Sequence, residues 1–201
     1  MSTVAIAADD IMAIAMTTGY SAQTEGALRC IEAASDWALA CVDALPQQSD
    51  YTLIDYGAAD GGTAVGLWSS LLDRLHERQP QAHFTLVGND LPSNDNLALA
   101  ANVALQLPRP PSPTVLVSCR SFYEQVMAPG SVSFGFTATA MHWLSQSAGS
   151  LDSHTHVQAS GDSEALSRFT AQAMRDWNAL LELRSRELQV GGRLLTGEPL
   201  P

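Results

Sequence analysis

The sequence predicts an α/β fold built on a parallel sheet. Three observations carry this. Short β-branched and apolar runs recur at 51–56, 84–87, 115–117 and 132–136, and helical periodicity separates the first three. The first run gives way to a glycine-rich, acidic loop, Asp55–Thr63. The ends of all four runs, at Asp55–Gly62, Asn89–Leu91, Arg120–Phe122 and Thr137–Trp143, carry polar or aromatic residues. In open α/β sheets that edge is where ligands bind, so the four ends are expected to converge on one crevice.

In chain order, Leu28, Ile31, Ala34, Leu39, Val42 and Leu45 recur at helical spacing over 24–45, and Pro46 ends that helix. The first strand follows at 51–56. Leu67, Trp68, Leu71, Leu72 and Leu75 give 65–75 a broad apolar face. The run 84–87 is a second strand, stopped at Gly88-Asn89-Asp90, and Asn94 opens a helix to about Leu105. Pro108, Pro110, Pro111 and Pro113 mark a loop. Residues 145–162, rich in Ser, Gly, His and Asp, are expected to be an exposed loop. A long helix from about Ser163 to Val190 should bury Leu166, Phe169, Ala173, Trp177, Leu180 and Leu188, with Gly191-Gly192 stopping it. Arg193–Thr196 starts a last strand. No internal repeat is present. A single domain over 1–201 is expected, with an N-terminal helical segment to about 48 and the α/β core from about 49.

Composition narrows the function classes. The 201 residues suit one domain with a core of its own. A net charge of −11 disfavours nucleic acid and anionic membrane surfaces as partners. Three cysteines, Cys30, Cys41 and Cys119, lack metal spacing and fit a reducing compartment better than a disulfide framework. Residues 4–16 are apolar, but Asp9 and Asp10 interrupt them and no basic segment precedes them. A signal peptide is therefore not expected, and a cytoplasmic location is.

The loop Asp55–Thr63 admits two readings. Gly57, Gly61 and Gly62 remove side chains where a ligand would approach the main chain, and Asp55 and Asp60 place carboxylates beside that opening. An acidic, glycine-rich loop after a first strand suits a cofactor carrying positive charge, such as S-adenosylmethionine; a plain strand-to-helix turn has the same composition. The spacing Gly-x-x-x-Gly-Gly does not meet the dinucleotide fingerprint, which counts against a nicotinamide-dependent oxidoreductase. Asp90, after the second strand, is placed to accept hydrogen bonds from ribose hydroxyls or else to cap a turn. Ser121 and Phe122 could pack on and bond an adenine, although a Phe there is also a core residue. Met141 and Trp143 would wall a small organic substrate, with His142 donating a hydrogen bond to it or standing as a structural histidine. His154 and His156 alternate in a loop without a metal-spaced partner, so no metal site is expected. Hydrolase nucleophile-elbow, phosphate-loop and zinc-protease motifs are absent.

Six blocks in order, Tyr20–Ala27, Asp55–Thr63, Asn89–Asp95, Ser121–Tyr123, Met141–Ser145 and Gln172–Arg193, resemble the SABATH family of S-adenosylmethionine-dependent carboxyl methyltransferases (the salicylate and jasmonate type), in a spelling closer to non-plant members. Each block alone is weak; together they cover almost the whole chain. The resemblance implies a Rossmann-like class I methyltransferase sheet with flanking helices. It implies S-adenosyl-L-methionine as cofactor and a small carboxylic acid as acceptor, and it admits a homodimer. Asp55 and Gly57 would flank the methionine part of the cofactor. Asp90 would hold the ribose, Leu91 would pack on adenine, and Ser121 and Phe122 would close over it. Tyr20, Thr24, Asp60 and Thr63 complete the implied cofactor set. Met141, His142 and Trp143 would orient the acceptor, with no side chain required as acid or base.

Three departures bear on the acceptor. Family members place a Gln where Ala27 stands, and Gln23 would point elsewhere on a helix. The aromatic residue usual two positions before Met141 is Thr139 here. Members are usually much longer, so the helical cap and the last strands of the sheet are expected to be incomplete. A non-catalytic homologue that only binds the cofactor is the rival reading.

Overall fold

The computed structural model describes residues 19–22, 24–107, 112–151, 154 and 156–197. Residues 4–16, Gln23 and Pro108–Pro111, which figured in the expectations above, lie outside the described residues. The elements run in the order α1 (Glu25–Asp43), β1 (Asp50–Tyr56), α2 (Val65–Arg78), β2 (His83–Asp90), α3 (Asn96–Gln106), β3 (Thr114–Cys119), β4 (Val132–Ala138), α4 (Ser163–Glu187) and β5 (Leu188–Gly197). A single 3-10 turn, Tyr20–Ala22, precedes α1, and another, Val157–Ala159, precedes α4.

Among the described residues the sheet has five strands in the order β3-β2-β1-β4-β5, and every pairing is parallel. Strand order reverses between β1 and β4, so the crevice outside their carboxyl ends is where a Rossmann-like sheet leaves room for a ligand. Alternation along β1 divides the core. Tyr51 and Leu53 pack with Trp68, Leu71, Phe84, Leu99, Phe134 and Phe136 under α1, α2 and α3. Ile54 and Tyr56 pack on the other face with Val87, Val132 and the loop residues Phe122, Val126 and Met127. Trp68 meets both Phe134 and Phe136 edge-on at 6.1 Å.

Caps explain the helix starts. Asp95 accepts from the Ala98 N–H and so begins α3, which leaves Asn94 outside the helix it was expected to open. Asp162 accepts from the Glu164 and Ala165 N–H groups and begins α4.

Two expectations for α4 are corrected. The helix ends at Glu187, and the Gly191-Gly192 pair lies inside β5. Val132 pairs with Leu188 and Phe134 with Arg193, so the ladder absorbs extra residues in a bulge. Gly191 adopts φ 79°, and a Cβ on Gly192 would lie 2.8 Å from the Val132 carbonyl oxygen. The glycines thus serve a strand irregularity, not a helix stop. The buried face of α4 is also rotated from the expected one. It consists of Ala165, Gln172, Asp176, Leu180, Arg184 and Glu187, while Leu166, Ala173 and Trp177 are exposed and Phe169 is half-buried. Apolar periodicity misled because this helix buries a polar stripe whose partners lie in segments distant in sequence.

Candidate functional site

A cleft opens at the carboxyl ends of β1, β2, β3 and β4. Its lining includes Tyr20, Asp55, Gly57, Thr63, Asp90, Leu91, Ser121, Phe122 and Trp143. The four strand ends do converge, and nine of the proposed site residues face one space.

The floor is the loop after β1. The Gly57 and Ala58 N–H groups donate to the Asn89 carbonyl (2.9 and 3.0 Å), and the Ala59 N–H donates to Asp90 Oδ2 at 2.6 Å. Ala59 sits at φ 50°, a left-handed conformation uncommon outside glycine, and Asn94 Nδ2 donates to its carbonyl at 2.6 Å. Asp90 Oδ1 also accepts from the Leu91 N–H at 2.7 Å. Asp90 therefore lines the cleft and also fastens the loop after β1. Burial pushes its carboxyl above the ordinary range, against the two backbone donors.

The space beside the glycines is occupied by protein. A Cβ on Gly57 would lie 2.4 Å from Ala140 Cβ. A Cβ on Gly61 would meet Leu99 Cδ1 and Val103 Cγ2 at 2.7 Å, and one on Gly62 would meet Ser21 Oγ at 2.5 Å. Protein atoms fill the missing side-chain space: the glycines let α3, the Tyr20–Ala22 turn and the end of β4 close on the loop. Gly57 also lines the cleft, whereas Gly61 and Gly62 do not.

Asp55 is buried at the end of β1, and its Oδ2 accepts from Trp68 Nε1 at 2.9 Å. Burial raises its pKa to about 6, with the indole N–H opposing that shift and nearby Asp90 adding to it. A carboxylate so placed is short of positive charge.

Ser121, Phe122 and Tyr123 form the wall after β3, and the polar stripe of α4 holds that wall in place. Arg184 donates to the carbonyls of Phe122 (2.7 Å) and Glu124 (2.8 Å), pairs with Glu187 at 2.9 Å and lies over the Tyr56 ring. Glu187 accepts from the Tyr56 hydroxyl at 2.8 Å and from the Val126 and Met127 N–H groups. Further along, Asp176 accepts from the Ser145 N–H and hydroxyl (2.9 and 2.6 Å) and from Gln172 Nε2 (2.7 Å), fixing the segment after β4.

The acceptor-side triplet is split. Trp143 lines the cleft, whereas Met141 and His142 line a second cavity with Ala173, Asp176, Trp177 and Leu180. Thr24 and Asp60 do not line the cleft: the Thr24 hydroxyl donates to the Tyr20 carbonyl at 3.0 Å, and Asp60 is bonded to Ser21 and Gly62. Sequence reasoning missed Tyr123, which lines both cavities and whose hydroxyl donates to the Trp143 carbonyl at 2.8 Å, and also Leu144 and Ser145. Ala27 and Thr139, singled out as departures, both line the cleft; Thr139 holds φ 59°, unusual for a β-branched residue. Among the described residues no group of three or more His, Cys, Asp or Glu could hold a metal ion, and no helix is long and apolar enough to cross a membrane.

Comparison with known proteins agrees with this geometry. The chain is 30% identical over 153 residues to the methyltransferase FUS9 of Gibberella moniliformis, covering 71% of this chain and 39% of that protein. It is 24% identical over 165 residues to a probable jasmonic acid carboxyl methyltransferase of Theobroma cacao, covering 71% of this chain and 44% of the relative. The chain thus spans about two-fifths of the length of the curated relatives it matches. A solved structure of loganic acid methyltransferase with S-adenosylhomocysteine superposes with a TM-score of 0.71 at 21% identity, over 89% of this chain and 56% of that one, which establishes the shared fold. The model of the S-adenosylmethionine-dependent carboxyl methyltransferase family matches residues 22–197, and the chain belongs to that family.

Proposed function

We propose that the strand-end cleft binds S-adenosylmethionine and that the protein transfers its methyl group to an oxygen of a small organic acid, most simply a carboxylate. The observation that carries this reading is the convergence of Asp55, the Gly57–Ala59 backbone, Asp90, Leu91, Ser121 and Phe122 on one space. Buried Asp55, raised to about 6, is the group a cationic ligand would relieve. Asp90 spends one hydrogen bond per oxygen on the backbone, which leaves lone pairs for ribose hydroxyls. Leu91 and Phe122 offer apolar surface to an adenine. Bound S-adenosylmethionine supplies the methyl group and the positive charge that activates it. The protein's own contribution is alignment and exclusion of water. A carboxylate acceptor is already ionised at neutral pH, so no general base is needed, and Trp143 would orient it.

A second reading, cofactor binding without transfer, is favoured by one specific observation: Met141 and His142 face a different cavity from Trp143. Titration calorimetry with S-adenosylhomocysteine, followed by a radiolabelled methyl-transfer screen over small carboxylic acids, separates the readings. Binding with transfer to an acid supports the first, binding without transfer the second, and absence of binding rejects both. Three sparse cysteines without metal spacing support a cytoplasmic setting, and self-association as a homodimer belongs to the same reading; sedimentation tests the latter.

A further inference from the structure

We infer that Asp60 is a positioning residue: its carboxylate clamps the Tyr20–Ala22 turn to the loop after β1 and so sets Tyr20 as a wall of the cleft. The turn cannot hold itself. It is one 3-10 turn of three residues, none of them buried, closed by an Ala22 N–H to Gly19 carbonyl bond of 3.1 Å and joined to the start of α1 by the Thr24 hydroxyl to Tyr20 carbonyl bond. Among the described residues, its hydrogen bonds to the α/β core run to Asp60. Asp60 Oδ2 accepts from the Ser21 N–H (3.1 Å) and hydroxyl (2.9 Å), while Oδ1 accepts from the Gly62 N–H at 3.1 Å.

The clamp itself is rigid. Asp60 is 7% exposed, and its carbonyl accepts from Asn102 Nδ2 of α3 at 2.8 Å. Gly62 lets the turn come close, since a Cβ there would lie 2.5 Å from Ser21 Oγ. Three donors facing two oxygens require an acceptor-only group, which is why a carboxylate suits the position and an amide would set N–H against N–H. Charge-assisted bonds of this kind are the strong ones. Asp60 thus acts on the cleft through Tyr20.

The ligand arm of the test rests on the cofactor reading above; the exchange arm does not. Asp60→Asn, Ser21→Ala and the double variant are compared in the full chain. In the ligand-free protein, Asp60→Asn should speed hydrogen exchange of the Ser21 amide about tenfold or more, the equivalent of one lost hydrogen bond. Asp60→Asn should weaken S-adenosylhomocysteine binding roughly 5–20-fold and Ser21→Ala roughly 2–3-fold, with the double variant no worse than Asp60→Asn, because both act through one contact. Unchanged exchange at Ser21, or losses that add in the double variant, would overturn the inference. If the unmodified chain binds no S-adenosylhomocysteine, the cofactor reading fails, and the exchange result alone decides the clamp.

Discussion

The walls at the ends of β1, β2 and β3 close their polar groups on one another, whereas the wall at the end of β4 and the adjoining face of α4 leave large apolar groups in solvent. On the first side Asp90, Asn89, Asn94 and Arg184 each bond the backbone of a neighbouring segment. On the second, Trp143 is 44% exposed and Trp177 42%, with Leu166, Met174 and Leu181 similarly open. The two sides are also held by one element. The inward stripe of α4 carries the polar groups that fasten both loops, while its large apolar residues Leu166, Met174, Trp177 and Leu181 are exposed. The side at the ends of β1, β2 and β3 is therefore held by bonds within the described residues, while the side at the end of β4 is only half enclosed by them.

The largest effect that would break this contrast is at Glu187. Glu187→Ala strands the fully buried Arg184, the Tyr56 hydroxyl and two loop N–H groups. It should cost about 3–5 kcal/mol, read as a lower denaturation midpoint in urea. A loss no larger than that of an exposed residue would show that the α4 stripe does not hold the wall after β3.

Asp55 moves stability and binding in opposite directions. Its folded pKa of about 6 lies above the ordinary 3.8, so the native state holds the proton more tightly than the unfolded chain. The associated stability is fully present below about pH 3.8, falls through the window up to about 6, and is gone at neutral pH. Asp55→Asn should then stabilise the ligand-free protein at pH 7 by up to about 3 kcal/mol while weakening cofactor binding. In the unmodified protein, affinity for a cationic ligand should drop roughly tenfold between pH 7 and 5 as Asp55 takes up its proton. Calorimetry across that range checks the sign; an affinity independent of pH would remove Asp55 from the ligand's charge partners.

Asp90→Ala should weaken S-adenosylhomocysteine binding by ~1.5–3 kcal/mol, the worth of a charge-assisted hydrogen bond. Because Ala59 and Leu91 also lose their acceptor, amide exchange in the loop after β1 should rise as well. Unchanged affinity would reject the ribose assignment. The smallest expected effect on cofactor affinity is at Trp143. Trp143→Ala should leave it within about twofold, as expected of an exposed side chain, while acceptor use falls. Equal damage to both would make Trp143 a packing residue and erase the contrast between the sides.

What could be read in advance follows the same division. Helices α1 and α2 and strands β1, β2 and β4 stand close to the segments that apolar patterning marked, because each buries an apolar face against its neighbours. The strand-end residues Asp55, Asp90, Ser121 and Phe122 were legible because the parallel-sheet rule places strand ends together. The polar stripe of α4 was not, since Arg184 and Glu187 look like ordinary surface charges until their backbone partners are known. The glycines misled for a related reason: nothing local to Gly61 or Gly62 shows that Leu99, Val103 and Ser21 come to occupy the space beside them.

The sequence by itself determined the sheet, the direction of its strands, the glycine-rich loop after β1 and the acidic residues beside it, because these depend on local pattern and on rules that hold for any parallel sheet. Only the tertiary structure decided which oxygen met which N–H. It assigned Asp60 to Ser21 instead of the cleft, gave Asp90 both the cleft and the loop, set Met141 and His142 on a second cavity beside the one Trp143 lines, and made the Gly191-Gly192 pair a bulge. Each of these is a pairing between residues far apart in the chain, and spacing carries no information about such pairings until the packed core has fixed the distances.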